Sequence, residues 1–279
     1  MDMPDFVIAI PTYNRPQKLI RQTLKLLIEK YTIDIDLIFI FVENKEQYNL
    51  YYDALQTSKY KQYEPTYVIT NTEGIGHKRN YIRNYFPDNT KVVMMDDDIE
   101  KILFLEEGNG LNERQERAAN KSVELEDLWS LINLNFITAE EEGCSMWGVC
   151  LFDNAYFMKR EHSINLKYIG GTLQGIIVND ISKNIRVDIN QFEDYEFSIL
   201  HFIKEGKCLR FNNIGLVSKY YSEDGGICSH SGGLEQRMEE AYENATYLLL
   251  EYPNFLNIYE KANGVINIKL NHMAKLETV

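Results

Sequence analysis

Long apolar runs are missing from this 279-residue chain, and none approaches the roughly 18 residues needed to cross a bilayer. The opening residues also lack a basic-then-apolar signal pattern, so a cytoplasmic protein with no membrane partner is expected. Cysteine is scarce. Cys144, Cys150, Cys208 and Cys228 are scattered with no CxxC pair, and they read as reduced thiols to which no chemistry is assigned. Positive charge is in deficit, with 29 Lys and Arg against 42 Asp and Glu, a net charge of −13. Such a chain repels polyphosphate at long range, which disfavours tight non-specific nucleic-acid binding. Repeats, low-complexity segments and clear linkers are absent too, so one mixed α/β domain over residues 1–279 is expected. A hydrophobic content of 44% leaves ample material for a buried core.

The first hundred residues alternate short apolar runs with amphipathic segments. Phe6–Ile10 reads as a buried strand, followed by a helix with Leu19, Ile20, Leu24, Leu27 and Ile28 on one face. Leu37–Val42 is the second strand, Glu46–Leu55 a helix and Tyr67–Ile69 the third strand. Gly74-Ile75-Gly76 then opens a helix reaching Tyr85, and Lys91–Met95 is the fourth strand. This alternation predicts a mostly parallel twisted sheet flanked by helices, with ligands beyond the carboxyl ends of the strands. Glu106–Val123 is polar and reads as a mobile excursion, either a lid or a plain loop. Helices follow at Leu125–Ala139, Glu193–Lys204 and Leu234–Glu251, and strands at Met146–Leu151, Lys167–Val178 and Cys208–Ser218. Ile258–Val279 is weakly patterned.

Three consecutive carboxylates, Asp96, Asp97 and Asp98, end the fourth strand. Crowded at a buried strand end, they repel one another and call for a counter-cation, for which Mg²⁺ or Mn²⁺ is suited. A polar strand end facing water is the plain alternative. Pro11-Thr12-Tyr13-Asn14-Arg15, at the end of the first strand, offers a rigid turn, a hydroxyl and an aromatic face for a nucleobase, or simply a turn and a helix cap. Glu43 can accept hydrogen bonds from a base or ribose. Gly74 and Gly76 allow close backbone approach, and Lys78 and Arg79 lie in the first helical turn, where the dipole prefers acids. Two cations there suggest a bound phosphate, with Arg79 the better bidentate grip. Arg15, Lys18, Arg21 and Lys25 form one basic face and Lys159, Arg160 and Lys167 another; both read equally as solvated surface.

In this order and spacing, "VIAIPTYNRP" (Val7–Pro16), "GIGHKRN" (Gly74–Asn80) and "MMDDDI" (Met94–Ile99) resemble the nucleotide-sugar domain of GT-A glycosyltransferases of the family 2 type. More narrowly, Thr23–Tyr48, Gly74–Ile99 and "SGGLEQRMEEAYENATYLLLEYPNF" (Ser231–Phe255) are similar to the TET-associated, base J-type DNA glycosyltransferases of phages.

That resemblance implies a GT-A fold with a nucleotide-sugar half at 1–105 and an acceptor half at 124–257. It implies a UDP-sugar donor, with Thr12 and Tyr13 on the uracil-type base, Glu43 on base or ribose and Arg79 on the diphosphate. Asp98 would ligate Mn²⁺ or Mg²⁺ directly. Asp96 would reach the ribose or the metal's water shell, with Asp97 assisting. In Phe192-Glu193-Asp194 the resemblance makes Asp194 the catalytic base, or Glu193 in its place. His230 falls where a late metal ligand is found. Tyr168–Val178 lines an acceptor pocket or is a bulged strand. The implied reaction is inverting transfer of glucose to a hydroxymethylpyrimidine in DNA, with no protein partner. The acidity of the chain favours instead a saccharide, small-molecule or protein acceptor, and a catalytically inactive nucleotide-sugar-binding module is the third reading.

Overall fold

The computed structural model describes residues 5–218, 234–261 and 264–276. Strand β1 (Val7–Pro11) leads into a helix that opens as α1 (Pro16–Leu19) and continues with π-type hydrogen bonding over Ile20–Leu24 and Leu26–Lys30. Next come β2 (Ile38–Val42), α2 (Lys45–Gln56), β3 (Thr66–Ile69), α3 (Ile75–Tyr85) and β4 (Lys91–Met95). Then β5 (Ile99–Glu106), α4 (Glu113–Ala119), β6 (Lys121–Glu124), α5 (Leu128–Glu142) and β7 (Met146–Val149) follow. The second half holds β8 (Leu173–Ile177), α6 (Asp180–Asn184), α7 (Glu193–Glu205), β9 (Leu209–Phe211) and β10 (Ile214–Ser218). The last elements are α8 (Leu234–Glu251), β11 (Leu256–Glu260) and β12 (Ile266–Leu270).

Seven strands form the central sheet in the order β3-β2-β1-β4-β8-β7-β9. The first four are parallel; β8 runs antiparallel to both of its neighbours, and β9 is parallel to β7. The period-2 alternation of side chains divides the core between the two faces. Ile8, Ile10, Val93 and Met95 join the cluster under α1 and α5, while Val7, Ala9, Val92 and Met94 join the one under α3 and α7. Burial on both faces is why β1 and β4 read as unbroken apolar runs. Among the described residues no helix is long and apolar enough to cross a membrane.

Three expectations are corrected. The excursion expected at Glu106–Val123 contains α4, capped by Asn112, and β6, which pairs antiparallel with β5 in the sheet β10-β5-β6. Lys167–Val178 contributes a strand only from Leu173, because its first part wraps the site: Gly170 packs on Leu151 and Gly171 on the Arg79 guanidinium, where a Cβ has no room. Cys208–Ser218 breaks into β9 and β10, which belong to different sheets. The weakly patterned end also folds, with β11 and β12 making a hairpin.

Candidate active site

The aspartate triplet fills the connection from β4 to β5, and a residue outside the motif holds it there. Thr23, fully buried in the π-type stretch, donates from Oγ1 to the Asp96 carbonyl (2.8 Å) and accepts from the Ile99 amide (3.1 Å). One hydroxyl thus ties both ends of the loop. Thr23→Val keeps the shape but leaves two backbone groups unsatisfied, so a loss of about 1–3 kcal/mol is expected. Urea unfolding of the two proteins checks this.

The three carboxylates point different ways. Their side chains are 26%, 0% and 10% exposed for Asp96, Asp97 and Asp98, so only the outer two border the cleft. Asp97 turns inward, where Oδ1 lies 2.6 Å from Arg15 Nη2 and Oδ2 accepts from the Thr12 hydroxyl. Burial pushes its pKa up to about 6 against the pull of Arg15. Asp98 Oδ1 accepts from Ser218 Oγ (2.9 Å), while its Oδ2 lies 3.5 Å from Arg15 and 3.4 Å from Lys18. Its pKa is raised by burial and then by the charge of Asp96.

On the β1 side, the Thr12 hydroxyl is committed within the protein. Its proton goes to Asp97, so at 2.6 Å the Tyr51 hydroxyl donates to it, and Tyr51 in turn accepts from the Arg15 amide (2.8 Å). Pro11 ends β1 in full burial, so the turn starts from a fixed point. Tyr13 and Glu43 are half-buried at the strand ends, with the Lys78 ammonium 5.8 Å from the Tyr13 ring centre.

The start of α3 is closed by protein. Gly74 adopts φ +83°, which favours glycine, and a Cβ there would strike the Asn190 side chain. Asn190 Oδ1 also takes the Gly76 amide (3.2 Å). Lys78 and Arg79 turn inward instead of lining an open helix end. Lys78 Nζ donates to the Thr12 carbonyl (2.8 Å), and burial lowers its pKa to about 8. Arg79 bridges Asp96 (2.9 Å) and Glu193. Burial opposes its charge, but Glu193 and then Asp96 outweigh that and raise its pKa.

Helix α7 begins at Phe192, a non-glycine residue at φ 64° with no side-chain cap. That left-handed residue sets Glu193 against Arg79 and Asp194 against Tyr168. Glu193 is buried, and burial pushes its pKa up to about 8 despite Arg79. Asp194 is half-buried; Oδ2 accepts from the Tyr168 hydroxyl and Oδ1 from the Tyr195 amide (3.0 Å). Its pKa is also raised, by burial first. The Tyr168 and Tyr195 rings lie 4.3 Å apart and wall this side.

The triplet, Arg79, Glu193 and Asp194 are therefore one connected group. Thr12 joins it through Asp97, and Lys78 through the Thr12 carbonyl. His230 lies outside the described residues. Among those residues no cluster of three metal-ligating side chains occurs. Asp96 and Asp98 still supply two carboxylates of hard-oxygen chemistry, with Asp96 opposing the ionisation of Asp98. That donor set fits Mg²⁺ or Mn²⁺, whose shells are completed by water and phosphate oxygens. Thr23, Tyr51 and Asn190 escaped sequence reading, since each acts through a partner far along the chain, and Tyr168 reads in the sequence only as the start of the acceptor-side segment, without its bond to Asp194.

No family model matches this chain, and no curated protein sequence matches it. Solved structures do. The mannosyltransferase PcManGT from Pyrobaculum calidifontis, in complex with GDP-Man and Mn²⁺, is similar over 88% of this chain and 64% of its own, with a TM-score of 0.53 at 11% identity. TarS 1-349 from S. aureus, in complex with UDP-GlcNAc, is similar over 88% of this chain and 66% of its own, with a TM-score of 0.51 at 13% identity. The chain thus spans just under two thirds of the length of these structures. At such identities the likeness is one of architecture, and the chain is built on the GT-A glycosyltransferase fold.

Proposed function

We propose that the chain is a metal-dependent, inverting glycosyltransferase that moves glucose from a UDP-sugar to a hydroxymethylpyrimidine in DNA. The observation that carries the enzymatic part is the convergence of Asp96 and Asp98, Arg79 and Asp194 at one end of a GT-A sheet. Nucleotide sugars in both neighbouring structures, and Mn²⁺ in one, support the donor class. Uridine, glucose and the DNA acceptor rest on the motif resemblance.

Asp98, with Asp96 beside it, would hold a hard divalent cation, whose charge would neutralise the departing diphosphate. The remaining roles belong to side chains. Asp194 takes the proton of the acceptor hydroxyl as its oxygen bonds to the anomeric carbon, and the diphosphate leaves with the electron pair of the broken C–O bond. Tyr168 orients the Asp194 carboxylate through its hydroxyl. Arg79 holds Asp96 and Glu193 in register. Tyr13 and Glu43 border the place of the base, and Arg15 and Lys78 fix the turn beneath it.

The net charge of −13 favours a second reading, transfer to a saccharide, small-molecule or protein acceptor. Incubation with Mn²⁺, a panel of nucleotide sugars and hydroxymethylcytosine DNA, followed by mass spectrometry of the nucleosides, separates the two. Added hexose is the expected result. Transfer only to a saccharide acceptor would establish the second reading, and no turnover of any donor with any divalent metal would remove the enzyme.

A further inference from the structure

The segment between β7 and β8 carries a local reversal of the chain's charge. Its backbone is fastened to β9 and the turn after it: Ser163 and Arg210 exchange amide hydrogen bonds (2.9 and 2.8 Å), and the Lys159 amide donates to Asn212 O (3.0 Å). This places Lys159, Lys167 and Arg210 together. Arg210 reaches the Tyr168 carbonyl with Nη1 (3.5 Å) and Asn212 Oδ1 with Nε (2.9 Å). The Lys167 pKa is lowered, first by burial and then by Arg210 and Lys159. Lys167 and Arg210, with Lys269, bear on His272, whose pKa is also lowered, chiefly by burial.

None of the three cations has an ion pair with an acid among the described residues. In a chain with 42 acids to 29 bases, a repelling group of cations with no ion-paired carboxylate among the described residues attracts an external anion. Its position is informative. Lys167 directly precedes Tyr168, whose hydroxyl holds Asp194, so the basic cluster and the proposed base share one stretch of backbone. On the same segment Phe152 and Phe157 are 53% and 58% exposed with ring centres 5.7 Å apart, and Tyr156 packs edge-on against Phe157. Exposed aromatic planes on a basic segment are the usual means of holding an unstacked base and its phosphate.

We propose that Lys159, Lys167 and Arg210 form a phosphate-binding patch for the backbone of a nucleic-acid strand, with Phe152 and Phe157 as the stacking surface for one of its bases. The patch deepens the acceptor half of the proposed function and rests on it for its role, though strand binding itself requires no turnover. Of the phosphodiester polymers, a nucleic acid uses both the cations and the rings, whereas a polyol phosphate uses the cations alone.

The test is fluorescence anisotropy of a labelled single-stranded oligonucleotide, without donor or metal, across a series of NaCl concentrations. The Lys159→Gln/Lys167→Gln double variant is expected to bind about tenfold or more weakly. The slope of log K against log salt should shrink by about 1.4, two phosphate contacts on a single strand. Phe157→Ala should weaken binding about fivefold to a hundredfold. Unchanged affinity and slope in the double variant would overturn the patch. Loss of a polyol-phosphate ligand in the double variant, with Phe157→Ala silent, would overturn the nucleic-acid assignment. Oligonucleotide binding by a protein that turns over no nucleotide sugar would keep the patch and discard the transferase.

Discussion

Asp98→Asn is expected to abolish metal-dependent binding of the nucleotide sugar and, with it, transfer. The substitution is nearly isosteric, so the packing around residue 98 survives. It removes the charge for which a divalent cation competes with Arg15 and Lys18, 3.5 and 3.4 Å away. With those two cations no longer balanced, the local field turns against a further positive ion. A lost metal contact of this kind is worth several kcal/mol, and each 1.4 kcal/mol is tenfold, so donor affinity should fall by about a hundredfold or more. Calorimetric titration of UDP-sugar in the presence and absence of Mn²⁺ measures it. An Asp98→Asn protein that retains the wild-type metal dependence would show that the ligand set lies elsewhere.

Asp194→Asn is expected to separate the two halves of the reaction. Its carboxylate accepts from Tyr168 and the Tyr195 amide and makes no hydrogen bond to the triplet among the described residues, so donor binding should stay close to wild type. Transfer should fall by about 10²- to 10⁴-fold, the usual contribution of a general base. The pH profile gives a second readout. A base acts ionised, and a raised pKa means that the carboxylate gains its proton at a higher pH than an ordinary aspartate. Activity should therefore be lost, as pH falls, above the usual carboxylate range, and this acidic limb should vanish in the residual rate of the variant. A variant with full turnover would transfer the role to Glu193 or to the substrate.

The parts of this molecule that were legible in its sequence are those written in local pattern. Lys91–Met95 and Leu234–Glu251 form their elements with the expected boundaries, because an apolar run ending in charges and an amphipathic repeat carry their own limits. The mostly parallel sheet followed from the alternation of strands and helices, while the reversal of β8 had no local signature. The excursion at Glu106–Val123 was misread because β6 is a largely exposed edge strand whose order comes from pairing with β5. At the candidate site the aspartates stood out by crowding alone. Their partners did not, since Thr23 is 73 residues from Asp96 and Glu193 is 114 from Arg79. The inward turn of Lys78 is likewise a matter of burial, which composition in the first turn of α3 does not encode.

The Arg79 bridge makes the cleft an interlock. The Asp96 carboxylate shares the Arg79 guanidinium with Glu193, and the same guanidinium bears on Asp194. Were Asp96 drawn to a donor, Arg79 would be left to the two acids of α7, and its charge would weaken the hold of Asp194 on a proton. If Asp194 is the base of the proposed reaction, donor binding at Asp96 would favour its ionised form, which is the form that accepts a proton. On the proposed mechanism, one buried arginine would couple donor binding at Asp96 to the protonation of the acids at the start of α7.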